Sequence, residues 1–285
     1  MTDNLIEVEH VSKSYAIGGF FGRGHFNAVD DVSFALQAKQ PEILAVIGES
    51  GSGKTTLARM ILNILAPTSG TIRFQGEDLS RVQGRRRRLD FMRKMQPILQ
   101  NPYDAFNPLK RVDRYLYASA ARFAGARTQK ARDEAADAAL RKVGLSLAEV
   151  KGRFPHELSG GQLQRTAIAR ALISSPALIV ADEPVSMVDA SLRMSIVNLF
   201  QRLRDELQVS ILYITHDLAT AYNISDRVLI MQKGKVVETG PAREVLTHPQ
   251  HPYSILLKES VLSPDDAGRG RLGRVEATSE LANSK

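Results

Sequence analysis

The sequence predicts an α/β fold with a mostly parallel central sheet, and three observations carry that expectation. Apolar runs of strand length alternate with helix-period segments along most of the 285 residues. The run Glu42–Ile47 feeds directly into the glycine-rich Gly48-Glu49-Ser50-Gly51-Ser52-Gly53-Lys54-Thr55, and a helical pattern follows. Strand, glycine loop and helix in that order are the context a phosphate-binding P-loop needs. Finally, Ala177–Ala181 is a second buried-strand pattern, and it ends in two carboxylates, Asp182 and Glu183. A hydrophobic content of 43% suits a globular chain of this length, which can bury one large core or a core plus a subdomain.

The elements follow in order. Leu5–Glu9 alternates Ile6 and Val8 with acids, as a strand with one solvated face does, and Ala28–Leu36 is a second strand. Between them Gly18–Phe26 is too glycine-rich for a regular element and predicts an exposed loop. Its rings Phe20, Phe21 and Phe26 either fold back on the domain or meet a partner subunit or lipid headgroup. Thr55–Leu65 is the helix after the P-loop, and Thr71–Phe74 and Met95–Leu99 are short strands. From Lys110 to Leu172 the pattern is helical. Thr128 can cap a helix that puts Ala135, Ala139, Leu140 and Val143 on one face, with Gly144 as its stop. Gln162–Ser174 is a further helix. After strand Ile179–Ala181, Asp189 caps a helix with Leu192, Ile196, Leu199 and Leu203 in one stripe. Strand Ser210–Thr215, a helix from Asp217 and the pair Arg227–Gln232 and Lys235–Glu238 complete the set.

Composition narrows the function. The chain has no cysteine, which excludes disulfides, thiolate zinc sites and iron–sulfur ligands. No run approaches the roughly 20 apolar residues of a membrane-spanning helix, and Met1–Asn4 lacks the blocks of a signal peptide. A cytosolic protein whose membrane work comes through partners is the expectation. The net charge of +7 is concentrated in Arg85–Arg88 and in the tail. Such a block is either a solvated face or a site for an anionic partner.

In the P-loop, Gly48, Gly51 and Gly53 let backbone N–H groups face phosphates, and the helix opening at Lys54 adds its positive dipole end. Lys54 reaches the β- and γ-phosphates of a nucleotide and the Thr55 hydroxyl is a Mg²⁺ ligand. Glu49, Ser50, Ser52 and Thr56 complete the loop. Asp182, at the C-terminal edge of a strand, can hold Mg²⁺ through water, leaving Glu183 to orient or deprotonate an attacking water. Two plain surface acids are the alternative, weakened by the apolar run before them.

Leu158-Ser159-Gly160-Gly161-Gln162 lies between the P-loop and the acidic strand and resembles the signature of the ATP-binding cassette (ABC) ATPases. The likeness extends to Gln100 after an apolar strand, Ser186-Met187-Val188-Asp189 at the place of the D-loop, His216 after Ile211–Ile214, and Tyr15 after the first strand. All occur in family order between residues 5 and about 245. The resemblance implies a P-loop NTPase fold with an N-terminal antiparallel β part and a helical, signature-bearing lobe. Residues 1–262 would be the ATPase domain with the lobe at about 110–172 inserted, and 263–285 a disordered tail.

It further implies that Tyr15 stacks on adenine, Gln100 helps ligate Mg²⁺ and senses the transport subunit, and His216 contacts the γ-phosphate. Ser159, Gly160, Gly161 and Gln162 would act on ATP held by a second ABC ATPase subunit, in a homo- or heterodimer linked by Asp189. Lys54, Glu183 and His216 would carry hydrolysis, with ATP and Mg²⁺ as cofactors. Met187-Val188 departs from the family's more frequent Ala-Leu and leaves Asp189 in place.

Finer likenesses point to the peptide-type importers: Gln100-Asn101-Pro102-Tyr103-Asp104-Ala105-Phe106-Asn107-Pro108, the Gly/Phe segment, and His248-Pro249-Gln250-His251-Pro252-Tyr253-Ser254. This last segment reads as a turn and terminal helix without a ligand role. Such importers imply two permease subunits, a solute-binding protein acting indirectly, and a place on the cytoplasmic face of the membrane. Peptide and oligosaccharide are the leading solutes. Tyr103 and Phe106, aromatic in a loop, are expected to anchor a permease helix. The competing class is a soluble ABC ATPase acting on nucleic acid or the ribosome. The absence of a coiled-coil insertion, a zinc module and a second ATPase domain argues against it, and no nucleic-acid partner is expected.

Overall fold

The computed structural model describes residues 3–19 and 22–262. The N-terminal part is a long antiparallel hairpin of β1 (Asn4–Gly19) and β2 (Gly22–Gln37), in which Ile6 faces Leu36 and Tyr15 faces Phe26. The loop expected over Gly18–Phe26 is thus largely strand, because cross-strand pairing supplies the backbone partners that local propensity does not. Phe20 and Phe21 lie outside the described residues. β4 (Ser69–Phe74) and β5 (Glu77–Asp78) extend this layer in the order β2-β1-β4-β5.

β3 (Ile43–Ile47), β6 (Met95–Ile98), β7 (Leu178–Asp182), β8 (Ser210–Thr215), β9 (Arg227–Gln232) and β10 (Lys235–Pro241) form the central sheet. Its order is β10-β9-β3-β8-β7-β6, all parallel except for β10 against β9. Every residue of β3 and β8 is buried, as expected of parallel strands covered on both faces. Alternate residues serve different layers. Ile43, Ile179, Ile211 and Tyr213 pack with the helical lobe, whereas Leu44, Val46, Val180 and Leu212 pack with the hairpin and the P-loop helix.

The P-loop helix α1 (Lys54–Ile61) stops short of Leu65, since Asn63 already turns into the left-handed region at φ 53°. α2 (Arg85–Lys94) carries Arg85–Arg88 on an exposed face, as either of the two alternatives requires. The lobe comprises α3 (Asp113–Phe123), α4 (Gln129–Lys142), α5 (Leu147–Val150) and α6 (Gly160–Leu172). Thr128 does cap α4, accepting the Ala131 N–H at 3.2 Å, but Ala136 rather than Ala135 is the fully buried alanine. α7 (Ala190–Leu207) begins after Asp189, whose side chain makes no capping bond, contrary to expectation. Ile196, Leu199 and Leu203 are buried as expected, joined by Phe200. α8 (Leu218–Ile224), α9 (Ala242–Thr247) and α10 (Pro252–Leu262) close the described chain. The tail reading for 263–285 lies outside it.

Candidate functional site

The central sheet delivers its chemistry at the C-terminal ends of β3, β6, β7 and β8, which open on one cleft of about 860 Å³. β3 runs into the P-loop, and Gly53 ends the loop at φ 106°. A Cβ there would sit 2.2 Å from the Ala28 carbonyl oxygen, so only glycine fits. Lys54, just 5% exposed, donates to the carbonyl oxygens of Gly48 at 2.6 Å and Glu49 at 2.7 Å. Burial pulls its pKa below the ordinary amine range, opposed by the nearby carboxylates of Glu183, Asp182 and Glu49. The lysine is therefore held inside the loop on backbone dipoles.

Asp182 ends β7. Burial raises its carboxyl above the ordinary range, and a hydrogen bond from Thr55 and the charge of Lys54 partly offset that. A half-buried carboxylate short of compensating charge, beside a hydroxyl, suits a divalent cation. No group of three or more His, Asp or Glu residues forms a metal cage among the described residues. A cation here would complete its shell from nucleotide phosphates and water.

Glu183 follows at φ 46°, a left-handed conformation that costs a non-glycine residue energy and is kept by the surrounding structure. Its N–H donates to the Ile214 carbonyl at 2.9 Å, tying it to the end of β8. Gln100 Nε2 donates to one carboxylate oxygen at 2.9 Å, and His216 Nδ1 meets the other at 3.0 Å. Two residues far apart in sequence, Gln100 and His216, thus converge on the Glu183 carboxylate at the P-loop cleft.

The cleft is lined by Tyr15, Gly48, Glu49, Ser50, Gly51, Gly53, Lys54, Thr55, Thr56, Gln100, Glu183 and His216, all expected from the sequence. Ser52 is buried beneath it, and Asp182 reaches it through Thr55. Tyr15 lies within β1 rather than after the strand. Its ring is 43% exposed, with the Lys13 ammonium 5.6 Å from its centre. Sequence reasoning missed Phe26, Leu218, Leu257 and Ser260 on the same walls. Phe26 becomes legible only once the hairpin register pairs it with Tyr15.

The signature stands apart. Ser159 caps α6, accepting the Gln162 N–H at 3.2 Å, while its own N–H donates to the Gln162 side chain at 3.0 Å. The helix therefore opens at Gly160, ahead of the Gln162 expected. A Cβ on Gly161 would come 2.8 Å from Leu192 Cδ1, so the signature packs directly on α7. Ser159 and Asp189 are exposed, and none of Ser159, Gly160, Gly161, Gln162 and Asp189 lines the cleft of its own chain. Tyr103 is 47% exposed beside Gln100, but Phe106 is 2% exposed, edge-on to Tyr115 and under Arg170. Phe106 is thus a core ring, not the surface anchor expected.

Known proteins match along the whole chain. The ABC transporter family model matches residues 29–186, and the oligopeptide/dipeptide transporter C-terminal region matches residues 237–284. The oligopeptide transport ATP-binding protein OppF of Bacillus subtilis is 40% identical over 95% of this chain and 87% of its own length. The dipeptide transport ATP-binding protein DppF of Escherichia coli is 38% identical over 97% of this chain and 81% of its own. A dimeric ATP-binding cassette in a post-hydrolysis state, bound to ADP and Pi, superposes with a TM-score of 0.73. It is 25% identical, over 84% of this chain and 99% of that one. The described chain has no helix long and apolar enough to cross a membrane. With cleft, signature and both family models in agreement, the chain belongs to the ABC transporter family, as an ATP-binding cassette that hydrolyses ATP.

Proposed function

We propose that this chain drives peptide import, closing on a second cassette around ATP and passing that motion to two permease subunits supplied by a solute-binding protein. The observation that carries this reading is the separation of the two halves. The cleft holds the P-loop, Gln100, Glu183 and His216, while the signature is an outward helix N-terminus with no cleft of its own. Each needs a partner surface, and a second cassette, a copy of this chain or a related one, offers both. The alternative on nucleic acid or ribosome has nothing comparable behind it.

In this reading Tyr15 stacks on adenine with Phe26 beside it, and the P-loop N–H groups with Lys54 hold the phosphates. Thr55, Gln100 and Asp182 would hold Mg²⁺, which neutralises charge on the phosphates when bound. Glu183 orients the attacking water and takes its proton as the new oxygen–phosphorus bond forms and the bond to ADP breaks. Gln100 and His216 fix its two oxygens, and His216 also reaches the γ-phosphate. The partner's counterparts of Ser159, Gly160, Gly161 and Gln162 bring a helix dipole to the far side of the phosphates, and Asp189 joins the two sites.

The peptide assignment rests on the names of the relatives and on the C-terminal region shared with them. Coupling is assigned to Tyr103, exposed on the turn Pro102–Ala105 two residues after Gln100. A permease helix pressing there would move Gln100 against Glu183, at the cytoplasmic face of the membrane. Labelled-peptide uptake in cells tests this. Tyr103→Glu is expected to collapse uptake while the purified chain keeps ATP binding. Uptake that survives the substitution would remove Tyr103 from the coupling surface.

A further inference from the structure

The segment from His248 to Ser254 has no role at the nucleotide site in the reading above, yet it reaches the P-loop. Glu238 on β10 accepts the backbone N–H groups of Gln250 at 2.8 Å and His251 at 3.1 Å. This clamp sets the start of α10, and Tyr253 follows, 6% exposed and packed with Ile47, Leu218 and Ile230. The Tyr253 hydroxyl accepts the Glu49 N–H at 3.1 Å. The carbonyl of Glu49, in turn, accepts the Ser52 N–H at 3.2 Å and the Lys54 ammonium at 2.7 Å. The Gly48 carbonyl, which shares a peptide unit with the Glu49 N–H, accepts the same ammonium at 2.6 Å, so that unit is pinned on one side by the terminal helix and on the other by the loop's own lysine.

The same helix face continues into the site. Leu257 and Ser260 lie four and seven residues beyond Tyr253, the spacing of one helical stripe, and both line the nucleotide cleft. We propose that α10 is a working wall of the nucleotide site and that Tyr253 is a positioning residue for the P-loop. Its hydroxyl occupies the Glu49 N–H and fixes the Gly48–Ser50 arm, so that the later N–H groups of the loop face the phosphates in one arrangement. Its ring anchors α10 so that Leu257 and Ser260 stay against the cleft. Because both rest on one contact, nucleotide binding and docking of α10 are linked, and each strengthens the other. The inference rests on the cleft holding ATP, which titration of the unsubstituted protein checks separately.

Tyr253→Phe keeps the ring and removes only the acceptor. Loss of one such hydrogen bond is expected to weaken Mg-ATP affinity roughly two- to tenfold, raising KM with kcat at saturating ATP little changed. The melting temperature without nucleotide should stay near that of the parent. A purely structural tyrosine would do the reverse, lowering the melting temperature and leaving KM alone. In the full-length parent, Mg-ATP should slow hydrogen exchange across 252–260, and Tyr253→Phe should weaken that protection. Parent-like affinity in Tyr253→Phe overturns the proposal. Should the variant fail to fold, unchanged exchange at 252–260 in the parent on adding Mg-ATP overturns it equally. No ATP binding by the parent would instead overturn the reading of the cleft.

Discussion

The P-loop cleft and the signature helix are the two surfaces on which the proposed function rests, and they are built in opposite ways. The cleft is concave and assembled from afar: Tyr15, Lys54, Gln100, Glu183 and His216 come from different strands and meet only through the sheet order. The signature is local, with Ser159 and Gln162 satisfying each other across one helical turn, and its N-terminus is exposed. Polar groups in the first region are strained or short of partners. Glu183 sits at φ 46°, the Lys54 pKa is lowered and the Asp182 pKa is raised. In the second, Ser159 and Gln162 cap each other. In the proposed function, this contrast separates the half of the chain that binds from the half that is offered to a partner.

The strongest way to break the contrast is at Glu183. Glu183→Gln keeps the hydrogen-bond geometry with Gln100 but removes the base, and turnover should fall by about 10²–10⁴-fold, the range of general-base loss. ATP affinity should persist, and radiolabelled ATP retention beside phosphate release measures both. Turnover near that of the parent would place the base elsewhere. Next in size is the aromatic pair. Tyr15→Ala should raise KM for ATP about tenfold, within the ~1–3 kcal/mol of base stacking, and Phe26→Ala by less. Equal effects at the two positions would make Phe26 a full half of the adenine platform.

How much of this could be read from the sequence follows the same division. Every P-loop residue, Gln100, Glu183, His216 and the signature were legible, because each sits at a strand end or helix start with a local pattern around it. What escaped depended on contacts between distant segments. The distal end of the β1–β2 hairpin, Gly18–Phe26, looked like a glycine loop, since its stability comes from register pairing rather than propensity. Phe106 passed for a surface anchor beside Tyr103, because nothing local shows that Tyr115 and Arg170 enclose it. The terminal helix seemed inert, because the bond between Tyr253 and Glu49 spans 204 residues of sequence.

A smaller effect sharpens the electrostatic side of the contrast. Asp182 has its pKa raised on folding, so its ionised form destabilises the nucleotide-free protein at neutral pH. Asp182→Asn should therefore raise the melting temperature at pH 7. The sign follows from linkage: the gain is fully present above the raised folded pKa and fades as pH falls through it towards the unfolded value of about 3.9. Melting curves at several pH values check it, and a pH-independent difference would mean that the carboxylate's charge is not what changed.

The most direct test of the division between binding and offered surfaces compares ATP titration and turnover in one signature variant and one P-loop variant. Ser159→Arg places a bulky charge at the exposed cap of α6, and Lys54→Ala empties the loop of its cation. Lys54→Ala should lose ATP affinity, by roughly tenfold or more from its charge-assisted bonds to phosphate. Ser159→Arg should bind Mg-ATP as the parent does, because its own cleft is untouched, and yet lose turnover. If Ser159→Arg loses ATP affinity together with Lys54→Ala, or hydrolyses ATP at the parent's rate, the signature does not serve a partner's nucleotide and the division fails.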